Sequence, residues 1–301
     1  MDKFSFQEEE AMTILSGKMS NWLPEDKSAI YVAVGILAVT TVVVILKKLL
    51  ARPSTAIGSK DEVVLYQIGR GPWAPSLSPF PLKLETYLRM AKISYKNIHG
   101  RKFSSKGKTP FITYNGKEVA DSQFIIEFLN REKGLDLNSH LTQEQRAISR
   151  AFLKMTEENL YWTVALERWV YGNKDYLKHL FQLPGIVCWL GSHTVTKQSW
   201  GHGMGRHSRE EVKIILEHDM RALSHYLGDK KFFFGDQPSE LDCAVFGMLS
   251  QIVWQMRNSP HEKIVQEELP NLRRYCETMK STFWPDWDEC ITHNHTKKAT
   301  K

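Results

Sequence analysis

"KTPFITYNGKEVADSQFIIEFLNREKG", residues 108–134, sets two apolar runs on either side of Asn115-Gly116 and follows them with a helix-length apolar pattern. Asn-Gly between such runs is a strong hairpin signal, because a tight two-residue turn needs positive φ at its central positions. Pro110 stands where the first strand begins. A proline there is compatible with a cis bond that turns the backbone toward an earlier loop, or with an ordinary trans strand start. Asp121 or Ser122 can cap the following helix, and Gly134 can end it.

Upstream, "EVVLYQI" (62–68) has the continuous apolar character of a buried strand. "PLKLETYLRMAKI" (81–93) spaces Leu82, Leu84, Leu88 and Met90 at near-helical intervals, with Pro81 tolerated in the first turn. "SYKNIHG" (94–100) reads as a second strand. The order strand–helix–strand–hairpin–helix is that of a thioredoxin-like half.

From about Leu141 onward strand signals fade. "RAISRAFLKMTEENLYWTVALERWV" has long helical periodicity, and its aromatic stripe Trp162, Trp169 and Tyr171 reads as core. Ser208 and Glu211 have the spacing of a capping box opening a helix that ends at Gly228, and Ser239 with Asp242 opens another. "GHGMGR" (201–206) lacks a preceding strand and a phosphate-binding lysine, so it reads as a turn, with His202 and His207 at the surface.

The bulk numbers describe an ordinary globular chain of one larger or two small domains: 301 residues, 42% hydrophobic and 25% charged, with a formal charge of +6. No basic run is dense enough for a nucleic-acid stripe. Cys188, Cys243, Cys276 and Cys290 form no C-x-x-C pair, and reduced cytosolic thiols are expected. Cys290, His293 and His295 have ligand-like spacing but no fourth ligand, so no metal site is expected.

"AIYVAVGILAVTTVVVIL" (29–46) is an uncharged apolar run that as a helix would span about 27 Å, near the hydrocarbon thickness of a bilayer. It is expected to be a single transmembrane helix. Lys18 and Lys27 precede it, whereas Lys47, Lys48, Arg52 and Lys60 follow, so the larger C-terminal part is expected on the cytoplasmic side, of which membrane the sequence does not say. The sequon at Asn294 would then go unused. The expected division is a leader 1–28, the span 29–46, a linker 47–60, a thioredoxin-like domain 61–137, an all-helical domain 138–287 and a tail 288–301.

This α+β order resembles the glutathione-transferase fold. "SPF" (78–80) resembles a serine- or cysteine-type transferase loop, "KTPFITYNGKEVADS" the cis-proline hairpin with its acidic-serine glutathione motif, and "FFFGDQPSELDCAVFG" (232–247) the capping motif of the helical domain. "APSLSPFPLKLETYLRMA", "RAISRAFLKMTEENLYW", "GHGMGR" and "FWPDW" resemble the failed axon connections family, a membrane-anchored branch near the metaxins. That resemblance implies a role in axon development. It also implies glutathione-binding positions at Pro110, Phe111, Asp121 and Ser122. Phe111 would offer its backbone to the cysteinyl unit, and Asp121 and Ser122 would take the γ-glutamyl end.

Ser78 is the matched candidate for steadying a thiolate, if the protein is an enzyme; Tyr66 reads as packed in its strand. The resemblance puts a cysteine where Pro81 stands here, and dithiol exchange needs a thiolate with a resolving partner. The leading expectation is therefore a non-catalytic interaction protein that requires no cofactor. It is tethered to a membrane and has an unidentified protein partner; dimerisation would suit the fold. Two alternatives are a glutathione-dependent transferase acting on apolar electrophiles and a metaxin-like mitochondrial import component.

Overall fold

A computed structural model describes residues 59–100 and 102–301, together with Tyr31, Val32 and Val34. Those three are helical; the rest of the apolar run 29–46, on which the transmembrane reading falls, lies outside the described residues. No described helix is long and apolar enough to cross a membrane. The described residues from 59 to 301 form one compact unit.

That unit opens with β1 (Val63–Gln67), α1 (Pro79–Met90) and β2 (Tyr95–His99), then β3 (Phe111–Tyr114), β4 (Lys117–Ala120) and α2 (Ser122–Lys133). The strands lie in the order β2-β1-β3-β4, with β1 parallel to β2 and antiparallel to β3. Every residue of β1 is buried, because both faces of an inner strand are covered. Val63, Leu65 and Ile112 pack with Leu84, Leu88, Ile125 and Leu129 of the two helices; Val64, Tyr66, Phe111 and Ala120 cluster on the other face. α1 begins two residues before the expected Pro81, since both prolines of its first turn lack an N–H that would go unpaired anyway. Gly134 ends α2 in the left-handed region at φ 64.

The second half is helical throughout. One continuous run, α3 (Gln143–Lys154) and α4 (Tyr161–Leu166), is interleaved with π-helical segments at Met155–Leu160 and Glu167–Tyr171. Then come α5 (Lys174–Phe181), α6 (Gly185–His202), α7 (Arg209–Leu227), α8 (Glu240–Gln255), α9 (Pro260–Glu267) and α10 (Pro270–Phe283). Ser208 and Glu211 cap α7 reciprocally, as their spacing predicts. Asp242 reaches back to the Ser239 N–H at 2.8 Å and also takes the Phe233 N–H at 3.0 Å, fixing the start of α8.

Two expectations are corrected. Trp162, Trp169 and Tyr171 are half-buried and not fully within the core: Trp162 and Tyr171 pack against Leu166, Met204 and Val212, and Trp169 and Trp162 meet Phe181 at 4.8 Å and His202 at 5.2 Å, seating α5 and α6, to which the periodicity assigned no element. The stretch 288–301 is not a loose tail: Thr292 and Asn294 donate to the carbonyls of Gly71 and Pro72, and the Lys301 carbonyl accepts from Arg70. All four cysteines are buried and unpaired.

The halves meet where α8 crosses α1. Gly247 sits at the crossing; a Cβ there would lie 2.6 Å from the Pro79 carbonyl oxygen and 3.0 Å from the Lys83 nitrogen. α1 is thus enclosed on all sides, and its polar residues must be paired inside. Glu85, fully buried, accepts from both terminal nitrogens of Arg70 at 2.7 and 2.9 Å, from Gln67 at 2.8 Å, from Asn97 at 2.8 Å and from Tyr95 at 3.1 Å. Burial alone would raise its carboxyl, but the Arg70 hydrogen bonds and charge, with Gln67 and Asn97, hold it below the usual glutamate range.

Gly247→Ala gains about 1 kcal/mol of helix propensity but drives a methyl into backbone, so a net loss of about 1–3 kcal/mol is expected in chemical denaturation. Glu85→Gln leaves Arg70 buried without its counter-ion, which costs about 3–5 kcal/mol at neutral pH. Because the folded Glu85 carboxyl is depressed, its contribution is present above the ordinary value of about 4.3 and lost as pH falls below it. Denaturation of wild type and E85Q across that range should converge on the acid side.

Candidate functional site

The strand register decides which residues share one end of the sheet. Tyr66, near the end of β1, lies opposite Phe111 at the start of β3, and Phe111 lies opposite Ala120 at the end of β4. The loop into α1, the bond before Pro110 and the start of α2 therefore converge there. Ser78, Pro110, Phe111, Asp121 and Ser122 belong to one corner of the fold.

Each element carries a distinct constraint. The loop between β1 and α1 is clamped through its carbonyls: Arg70 donates to Pro75, Gln251 to Ser76 and Arg168 to Leu77 at 3.0–3.2 Å. Gly71 is favoured there, since its Cβ would stand 2.6 Å from the Ala74 carbonyl oxygen and also crowd the Gln255 amide. Ser78 occupies the N-cap position of α1 but makes no side-chain cap hydrogen bond; its N–H donates to the Ser76 hydroxyl at 3.2 Å. The first turn of α1 meets the helical half through Phe80, whose ring lies 5.2 Å from that of Tyr161. One turn on, Lys83 is 1% exposed and bridges Glu157 at 2.6 Å and Gln123 at 2.8 Å, tying α1 to the start of α2 and to the first π segment.

The Thr109–Pro110 bond is cis. Phe111 stacks on Tyr66 at 4.5 Å with the rings 2° from parallel, and the Lys102 ammonium sits 4.6 Å from the Tyr66 ring. Tyr66 is packed, as its strand position predicts, but its hydroxyl is buried without a hydrogen-bond partner among the described residues. β3 is an inner strand, so Phe111 lies inside the sheet and offers no free strand edge. Thr109, before the cis bond, precedes the strand pairing, which begins at Phe111. Asp121 has φ 84 and accepts the N–H groups of Gln123 and Phe124 at 3.0 and 3.2 Å, so its carboxylate caps α2. The Ser122 side chain is buried beside it.

The corner is built to hold backbone in place, with two helix starts favouring negative charge. It carries no cysteine, and among the described residues no basic side chain is hydrogen-bonded to the Ser78 hydroxyl. Glu85, Lys83, Arg168 and Gln251 escape the sequence reading although they build the corner. Their signal is weak but present: polar residues at 83 and 85 interrupt an otherwise apolar helix that is enclosed on every side.

Arg168 is half-buried, its hydrogen bonds among the described residues go only to the neutral Leu77 and Gln251, and loss of solvent pushes its guanidinium down to about 10. No group of three or more His, Cys, Asp or Glu among the described residues could hold a metal ion.

A family model for the glutathione S-transferase N-terminal domain matches residues 79–175, and one for the C-terminal domain matches residues 216–279. Failed axon connections of Drosophila melanogaster is 38% identical over 77% of this chain, which spans 60% of that protein's length. An isoprene-epoxide–glutathione S-transferase of a Rhodococcus strain is 31% identical over 69% of this chain and 94% of its own. Metaxin-2 of Mus musculus is 24% identical over 75% and 90%. Among solved structures, a beta-etherase from a Sphingobium strain matches with a TM-score of 0.53 at 18% identity, covering 73% of this chain and 95% of its own. The chain belongs to the glutathione S-transferase family, in the branch that includes Failed axon connections and is related to the metaxins.

Removing the Ser78 hydroxyl breaks no cap, so Ser78→Ala is expected to leave stability within about 0.5 kcal/mol. Asp121→Ala removes two cap hydrogen bonds and should cost about 1 kcal/mol. Thermal unfolding of the two variants side by side checks both, and equal effects would contradict the assigned roles.

Proposed function

We propose that the protein is a membrane-tethered, non-catalytic interaction protein built on the transferase fold. One observation carries this reading: the start of α1 carries no thiol, while the loop carbonyls and the Asp121 carboxylate around it are already engaged within the fold. Fold alone does not decide function. The inference rests on that site and on the loss of the thiol position. The tether is the apolar run 29–46, with the folded part on the cytoplasmic side as the flanking lysines and arginines favour. A role in axon connections follows from the name of the relative in Drosophila melanogaster.

A second reading is a glutathione-dependent transferase, favoured by the similarity to the isoprene-epoxide–glutathione S-transferase. In it, Thr109 beside the cis bond would pair with the cysteinyl backbone. Ser122 and the start of α2 would take the γ-glutamyl carboxylate, and Ser78 would donate to the thiolate. The α2 start is less open than its sequence implies, because Asp121 already occupies two of its N–H groups.

Calorimetric titration of glutathione into the full chain in detergent, followed by an electrophile panel, separates the readings. No saturable binding and no conjugation are expected. Turnover lowered at least tenfold by S78A, in a variant that binds glutathione normally, would replace the first reading with the second.

A further inference from the structure

The surface of α6 has no role in the fold or in the corner described above. Ile186, Trp189, Leu190 and Trp200 are 64%, 61%, 51% and 58% exposed. With His193 and Lys197 they fall at i, i+3, i+4, i+7, i+11 and i+14, one face of the helix. The opposite face holds the helix to the protein. Cys188 and Ser199 are buried, and the Ser192 hydroxyl donates to the Trp169 carbonyl at 2.6 Å. Gly191 allows the close approach, since its Cβ would lie 2.5 Å from the Trp169 ring. The outward face is thus a rigid presentation of large apolar side chains, and such a patch marks an interaction surface.

Charge identifies what covers it. No Asp or Glu occurs between Asp175 and Glu210, whereas Lys197 stands within the apolar face and Arg206 lies over Trp200, with its guanidinium 5.8 Å from the ring. An isologous dimer through this face would set these cations against their own copies with no acidic residue in the segment to offset them. An acidic lipid surface meets both features. Acyl chains receive Ile186 and Leu190, tryptophans settle at the headgroup boundary, and the cations face anionic headgroups. We propose that α6 lies flat on an anionic bilayer, seated through its exposed face. This docking stands apart from the tether at 29–46, which would bring the face within reach of lipid but makes none of its contacts.

All four native cysteines are buried, so a single cysteine placed by His193→Cys can carry an environment-sensitive fluorophore selectively. The labelled full chain is mixed with phosphatidylcholine vesicles, with and without phosphatidylserine. The expected result is a blue-shifted emission, quenched by bromine-labelled acyl chains, only when phosphatidylserine is present. Adding Lys197→Glu or raising the salt concentration should weaken it at least severalfold. Emission unchanged from buffer, or equal with both lipids, overturns the proposal. So does a shift that follows protein rather than lipid concentration, which would assign the face to a second copy. Sedimentation of the same chain with the vesicles reports the tether separately.

Discussion

The crossing of α1 and α8 is the constraint on which the rest of this structure depends. A helix from the sheet-bearing half is enclosed by the core helix of the other half, at a distance only Gly247 allows. Enclosure removes α1 from water along nearly its whole length. The charged side chains it carries must then find partners in the interior, because an unpaired buried charge costs more than the fold can offset. Glu85 gathers Arg70, Gln67, Asn97 and Tyr95; Lys83 gathers Glu157 and Gln123. These pairs do more than neutralise charge. They join the end of β1, the second strand, the first turn of α2 and a π segment of the helical half to one helix.

The same pairs set the chemistry of the corner at the end of the sheet. Loop carbonyls that could have faced a ligand are spent on Arg70, Arg168 and Gln251. The carboxylate of Asp121 is spent on the helix it begins. What is left is a helix start whose Ser78 hydroxyl makes no cap hydrogen bond, the bend at a cis proline, and a buried serine. No cysteine stands there, and the side chains around it are engaged in holding backbone.

α5 and α6 rest on the half-buried aromatic residues of the long interrupted helix, and α6 turns an apolar and cationic face outward. The aromatic stripe thus has two faces with different tasks, one toward the core and one that carries additional helices. A buried polar link through Ser192 and the close approach at Gly191 make that support stiff.

Local sequence determined much of this protein by itself. The Asn115-Gly116 turn, the Gly134 stop, the capping box at Ser208 and the alternation from strands to helices are short-range signals, each with a local physical cause, and together they give the architecture. They also place Ser78, Asp121 and Ser122 at element starts. Long-range decisions were not legible. Whether Phe111 has a free edge depends on β4 closing the other side of β3. Whether Asp121 is a ligand group or a cap depends on where its carboxylate turns. Whether 288–301 is a tail depends on carbonyls more than two hundred residues away. α6 escaped because its exposed face mixes Ile186, Trp189, Leu190 and Trp200 with His193 and Lys197, so apolar residues lie on both sides and periodicity marks no inner face. Only tertiary structure decided these points, since burial and partner choice are properties of the whole packed chain and not of any window within it.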